Sequence, residues 1–329
     1  MKLFRKIIAS AIITLFILSL TISIRTEASV NLGLISNSGN ISNVAVIFFI
    51  TDAPYTMRLI ESLKKIENEN KNKVKYTFLN PKNNIAIQNE ILDTALQSNY
   101  DLFILYLPDK KENIVEDVII RVKQKNKPLI LMNIPQEVVS KTSKLYDKVT
   151  FVIPDSKKAG ITQGKIVVDL WKNNKKVLDK NGDDVLQYVL LQGPSDDPQV
   201  VDRTKYAIAT INESGIKTQE IAIVKASWFK DLAKTSIDNL FLKYNGSIEA
   251  IISNNDAMAI GAIEALQNYG YNKENENKKV VVVGIDGLSE AKDLINNLNP
   301  TENTNYKVVE GTIIIPFPYE TYIGKLNAT

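Results

Sequence analysis

Val44-Ala45-Val46-Ile47-Phe48-Phe49-Ile50, followed by Thr51-Asp52-Ala53-Pro54, is the stretch that decides the fold. Seven consecutive apolar residues, nearly all β-branched or aromatic, are too few for a core helix and read as a strand buried on both faces. Pro54 then opens a helix of about 14 residues, because proline's fixed φ suits a first helical turn. Leu59, Leu63 and Ile66 fall on one face of that helix. A strand buried on both sides needs helices above and below it. Downstream the alternation continues with strands at 74–79, 102–107 and 128–132 and helices at 85–96 and 109–125. This β-α-β pattern predicts an α/β fold with a doubly wound parallel sheet.

A second series starts near Val149, with strands at 149–152, 185–191, 220–224, 250–253 and 280–285. Helices fall near 157–172, 198–214, 230–243, 257–269 and 288–298, and a strand at 310–315 leads back toward the first lobe. The chain of 329 residues therefore reads as two doubly wound lobes in sequence. Residues 43–153 with about 316–329 form the N-terminal lobe, and residues 154–315 form the C-terminal lobe. Ligands of such sheets bind at the carboxyl ends of the strands, which here face an interlobe cleft with a hinge. The polar stretches 68–73 and 272–279 read as surface loops.

The first 28 residues stand apart. Lys2, Arg5 and Lys6 precede an apolar run from Ile7 to Ile24, then Arg25 and the small-residue stretch Thr26-Glu27-Ala28-Ser29. That order describes a signal peptide cut after Ala28, and the run is also long enough for an uncleaved membrane anchor. Either form is exported, to the periplasm or the outer face of the cytoplasmic membrane. The chain has no Cys and no His, which removes thiol chemistry, lipid attachment through cysteine and the commonest general base. Setting aside Lys2, Arg5, Lys6, Arg25 and Glu27 leaves equal numbers of basic and acidic side chains, so no basic footprint for nucleic acid is present.

Asp179-Lys180-Asn181-Gly182-Asp183-Asp184-Val185-Leu186-Gln187 carries oxygen side chains at positions 1, 3, 5 and 9. With the Val185 carbonyl at position 7, this spacing suits a calcium loop, since calcium takes six to eight hard oxygens. Position 6 is Asp184 instead of glycine, and position 12 is Leu190 instead of a bidentate glutamate. On the residues alone, a calcium loop short of one carboxylate and a solvated acidic turn both fit.

With Arg203-Thr204, Ala226-Ser227-Trp228, Ser253-Asn254-Asn255-Asp256-Ala257-Met258-Ala259 and Val283-Gly284-Ile285-Asp286 in order beside this loop, the chain resembles the galactose/glucose-binding proteins of ABC sugar uptake and chemotaxis. The resemblance runs from about 44 to 315 and implies the two-lobed type I periplasmic-binding-protein architecture. It implies a calcium ion held by Asp179, Asn181, Asp183, Val185 and Gln187, with the distant Glu249 as the bidentate ligand. It also implies a pyranose clamped between aromatic rings and ringed by planar polar groups. On the second lobe it assigns Arg203, Trp228, Asn255 and Asp286 to the sugar, with Asp197 and Gln199 standing where the family has His and Asp.

The first lobe departs from that pattern. Tyr55 stands for the stacking Phe, Ala53 for an Asp, Tyr106 for an Asn, and Ile315 for another Asn. Each hydroxyl left facing an apolar wall costs roughly 1–3 kcal/mol. The expectation is weak binding of unmodified hexoses, with a ligand docked mainly on the second lobe and Tyr55 adding a ring. The chain also stops at Thr329, soon after a helix start near Pro318, so a truncated homologue with weakened binding is a further expectation. The implied partners are a small sugar and an ABC permease, with a chemoreceptor or sensor kinase as the alternative for a membrane-tethered form. No enzyme is expected, because Asp197 and Asp286 lie in no acid/nucleophile motif.

Overall fold

The computed structural model describes residues 41–244, 246–273, 278–298 and 312–315. The expected export segment at 1–28 and the C-terminal stretch at 316–329 lie outside the described residues. Among those described, no helix is long and apolar enough to cross a membrane.

Two parallel sheets organise the chain. The first contains β1 (Ser42–Phe48), β2 (Val74–Leu79), β3 (Leu102–Tyr106), β4 (Leu129–Met132) and β5 (Val149–Val152), in the order β2-β1-β3-β4-β5. Between them run α1 (Pro54–Glu69), α2 (Ile85–Leu96), α3 (Glu112–Gln124) and α4 (Gln136–Thr142). Alternation along β1 explains both faces. Ala45 and Ile47 point to one side, where Leu92, Val115, Ile119 and Val139 of α2–α4 cover them. Val44, Val46 and Phe48 point to the other, against Leu59, Leu63 and Ile66 of α1. The apolar triplet expected on α1 is therefore its packing face.

The second sheet has the order β10-β9-β8-β6-β7. Its strands are β6 (Val185–Gln192), β7 (Lys217–Lys225), β8 (Ala250–Ser253), β9 (Val281–Ile285) and β10 (Thr312–Ile315). Helices α5 (Ser156–Leu178) and α6 (Pro198–Glu213) cover one face, and α7 (Lys230–Lys243) and α8 (Asp256–Asn268) the other. A short α9 (Ser289–Leu298) follows β9. The chain passes from one sheet to the other through Ile153-Pro154-Asp155, where Pro154 excludes helix before it and Asp155 caps α5 by accepting from the Lys158 amide at 2.8 Å.

Two expectations change, and a third is placed. The strand at 149–152 does not open the second series: it pairs with β4 and closes the first sheet, on the first-lobe side of the boundary placed at 153. The described part of the strand near 310–315 pairs with β9 at the edge of the second sheet, inside the expected lobe bounds of 154–315. The polar stretches are only partly surface loop. Asn68 and Glu69 finish α1, and Asn272 is buried, exchanging two hydrogen bonds with the Val280 backbone at 2.8 and 2.9 Å. An asparagine that closes its bonds on the backbone can be buried where composition alone suggests water.

Candidate functional site: the interlobe cleft and the acidic loop

Both sheets reverse strand order at an inner pair, β1/β3 in the first and β6/β8 in the second, and the loops leaving the carboxyl ends meet there. Between the lobes they enclose a cavity of about 60 Å³. The first lobe lines it with Ala53, Tyr55, Tyr106 and Asn133. The second lobe lines it with Gln199, Arg203, Trp228, Asn255 and Asp286. Six of the seven sugar contacts expected from the sequence therefore share one cavity; Asp197 does not line it.

Local folding explains how these side chains are held. Asn255 is the N-cap of α8: its Oδ1 accepts from the Met258 amide at 3.0 Å while its Nδ2 donates to the Trp228 carbonyl at 3.2 Å. Trp228 and Ser227 both have positive φ, at 74° and 51°, which turns the chain sharply before α7. The indole packs on Gly193, where a Cβ would lie 2.3 Å from the ring. Only glycine leaves room for it there.

Arg203 on α6 is buried and joins the polar groups. Its Nη1 donates to the Asn254 carbonyl at 2.6 Å and its Nη2 to Gln199 Oε1 at 3.1 Å. Asp286 Oδ1 lies 3.8 Å from Nη1, and the Trp228 ring lies 5.7 Å from the guanidinium. Asp286 has φ 130°, a left-handed conformation that presents its carboxyl straight after β9. Burial pushes that carboxyl up to about 7, against the opposing pull of Arg203 and Arg58. The neighbouring Asp256 is also held well above the usual carboxylate range, first by burial and then by the charge of Asp286. Two buried acids thus share one guanidinium.

Asp197 has other work. Its Oδ1 accepts from the Gln199 amide at 2.9 Å as the N-cap of α6, and its Oδ2 pairs with Lys110 Nζ at 3.3 Å. Lys110 follows β3 on the first lobe, so this largely buried ion pair bridges the cleft. Arg58 bridges it again, donating to the carbonyls of Asp286 and Gly287.

Asn133 was not foreseen. It follows β4 directly, is 5% exposed, and has a side-chain oxygen that is buried without a hydrogen-bond partner. The usable signal was its place, a polar residue ending an apolar strand run at the carboxyl edge of a parallel sheet.

The acidic loop joins α5 to β6. Gly182 and Asp184 have φ of 71° and 62°, so the aspartate at position 6 does take the left-handed turn. Glu249 is fully buried, accepting from the Lys180 amide at 2.7 Å and the Gln187 amide at 2.9 Å. Its burial holds the carboxyl above its ordinary value. Lys180 is half-buried; burial lowers its ammonium to about 8, and it donates to the Gly246 and Ile248 carbonyls. Asp183 gathers the Val185 amide and the side-chain amides of Asn181 and Gln187. No group of three or more His, Cys, Asp or Glu side chains disposed for a metal occurs among the described residues. Two oxygens in the loop, Asp179 Oδ1 and Gln187 Oε1, are nevertheless buried without partners. Buried acceptors with no donor beside an interior carboxylate are a donor set that fits a hard cation.

The comparisons with known proteins agree with this geometry. The D-galactose/methyl-galactoside binding periplasmic protein MglB of Haemophilus influenzae is 32% identical over 257 residues, which is 75% of this chain and 74% of that protein. A periplasmic solute binding protein of an ABC transporter from Actinobacillus succinogenes, solved with bound D-allose, superposes with a TM-score of 0.64 at 17% identity, covering 78% of this chain and 82% of that one. A solute binding protein of an ABC transporter from Bacillus halodurans, solved with bound myo-inositol, gives 0.61 at 20% identity, covering 80% and 82%. The sequence profile described as a periplasmic binding protein domain matches residues 44–313, which spans both sheets and every described residue of the cleft, and the chain belongs to that family of two-lobed solute-binding proteins.

Proposed function

We propose that this chain is exported, captures a monosaccharide or a closely related small polyol in the interlobe cleft, and delivers it to an ABC importer. One observation carries the reading: Trp228 offers a ring face in the same cavity as an amide, a guanidinium and a carboxyl group from Asn255, Arg203 and Asp286. Ring faces suit the C–H side of a sugar, and planar polar groups give paired hydrogen bonds to neighbouring hydroxyls. MglB of H. influenzae, by its name, binds galactosides, and it is the relative that supports galactose as the first ligand to try. The site is read as one for binding and not turnover, in keeping with a family of solute-binding proteins.

A thermal-shift screen of D-galactose, D-glucose, D-allose and myo-inositol tests this. A ligand at about 100 times its Kd raises stability by about 2.7 kcal/mol, so a true ligand moves the unfolding midpoint by several degrees. No shift with any of the four at millimolar concentration defeats the sugar reading.

Calcium in the acidic loop belongs to the same proposal. The residues that would hold it are Asp179, Asn181, Asp183, Gln187 and Glu249 with the Val185 carbonyl, and the ion would neutralise carboxylates and brace the α5–β6 connection of the second lobe. Calcium is expected to raise the unfolding midpoint of the chelator-treated protein, and Asp179→Ala or Glu249→Ala is expected to abolish that rise. An unchanged midpoint on adding chelator means that the loop is a turn closed by its own hydrogen bonds.

A further inference from the structure

We propose that Lys110, Asp197 and Arg58 form a two-point latch between the lobes, so that part of the work of closing the cleft is done by the protein itself and not by its ligand. The inference is independent of which solute the cleft holds.

The first point is an ion pair. Lys110 Nζ lies 3.3 Å from Asp197 Oδ2, and the two side chains are only 12% and 13% exposed. Each partner is positioned by its own lobe. Asp197 is fixed as the N-cap of α6, with Oδ1 taken by the Gln199 amide, so Oδ2 is the atom left to face the first lobe. Lys110 follows β3, and its ammonium lies over the Tyr106 ring, 5.4 Å from the ring centre, where the π face attracts a cation. The second point is Arg58 on α1. It donates to the Asp286 carbonyl at 3.2 Å and to the Gly287 carbonyl, in the turn that follows β9. On the second sheet β6 leads to Asp197 and β9 to Asp286, with β8 between them. Two separated fastenings fix the angle between the lobes, where a single one would leave a pivot.

Lys110, Asp197 and Arg58 do not line the cavity. Their effect on a ligand is therefore indirect, through the balance of open and closed forms. In the open form the ammonium and the carboxylate both return to water. In the closed form each is covered, and each depends on the other. Removing one leaves its partner covered and unpaired, and opening the cleft relieves that cost. A protein whose binding form is only partly populated loses apparent affinity by that fraction. Loss of the latch must then weaken every ligand by one common factor, whereas loss of a ligand contact weighs differently on different ligands.

The test compares the full chain with Lys110→Met, Asp197→Asn, Arg58→Met and the Lys110→Met/Asp197→Asn double variant. Asparagine keeps the α6 cap while removing the charge. Small-angle scattering without ligand is expected to give each single variant a larger radius of gyration than the unaltered chain. The double variant should move back toward the unaltered value, because no covered charge is left alone. Calorimetry with D-galactose, D-glucose, D-allose and myo-inositol should show Lys110→Met roughly tenfold weaker, by the same factor for every probe that binds. If Lys110→Met folds poorly, Asp197→Asn tests the same ion pair. An unchanged radius of gyration in any folded single variant overturns the two-point latch. An affinity loss that differs from probe to probe overturns it too, since Lys110 would then touch the ligand. If none of the four probes binds the unaltered protein, the sugar reading fails and the scattering by itself decides the latch.

Discussion

An Arg203→Met variant is expected to lose about 3–5 kcal/mol of folding stability near pH 8, and clearly less near pH 5. The magnitude follows from what the guanidinium holds. It is buried and donates to the Asn254 carbonyl and to Gln199 Oε1, with Asp286 3.8 Å away and the Trp228 ring alongside. Methionine fills a similar volume but leaves two interior acids, Asp286 and Asp256, without the charge that offsets both of them. Removing one partner of a buried ion pair is far costlier than replacing the whole pair. The pH dependence separates this from lost packing. Near pH 5 the acids are protonated in the folded chain with or without Arg203, so the guanidinium offsets no charge there and the penalty shrinks. Adding Asp286→Asn should recover a large part of the loss at pH 8, because no ionisable group then remains at that position. Sugar affinity should not recover, since Arg203 itself lines the cavity. Chemical denaturation of the single and double variants at both pH values checks all three points. A pH-independent loss, or no rescue by the double variant, would show that Arg203 acts through packing alone.

Ligand affinity is also expected to fall about tenfold per pH unit below about pH 7, through Asp286. Burial raises the folded carboxyl to about 7, from 3.8 in the reference state. Between those values the folded chain holds a proton that the unfolded chain has released. Stability of the ligand-free protein therefore falls at this position as pH rises from about 4 to about 7, and levels off above. A sugar acts in the opposite sense. Its hydroxyls donate to an ionised carboxylate more strongly than to a neutral one, so binding selects the charged form and releases a proton. At pH 5 the affinity should be about a hundredfold below its plateau, which is reached by pH 8. Calorimetry in buffers of different ionisation enthalpy reads the released proton directly. Asp286→Asn should bind more weakly throughout and lose the pH dependence. An affinity that is flat from pH 5 to pH 8 would place the sugar away from this carboxyl.

Much of the molecule was legible in the chain before its structure. Strands and helices declared themselves because each needs only local periodicity: the continuous apolar runs of β1 and β9, the Pro54 start of α1, the Asn255 cap of α8. Asn255 was readable both as a cap and as a cleft residue, and the structure shows that it does both at once. The left-handed turn at Asp184 was foreseeable from loop spacing. Glu249 entered only by family resemblance, since nothing local links it to a loop more than 60 residues earlier.

By itself, then, the sequence determined two doubly wound lobes, the order of their elements and most of the residues that meet in the cleft, because these follow from local hydrophobic period, helix starts and motifs in a known order. The strand at 149–152 read as the start of the second series while the boundary at 153 put it in the first lobe, and tertiary structure decided between them, since a lone β-branched run carries no record of its neighbour. It alone decided that Asp197 serves as a helix cap and an ion-pair partner of Lys110, 87 residues away, instead of facing the cavity. It alone gave Asp286 its raised carboxyl and left Asn133 with a buried oxygen and no partner. Each of these depends on what surrounds a side chain in space. Burial, charge pairing and unmet hydrogen bonds are properties of a neighbourhood assembled from distant residues, and no window along the chain contains it.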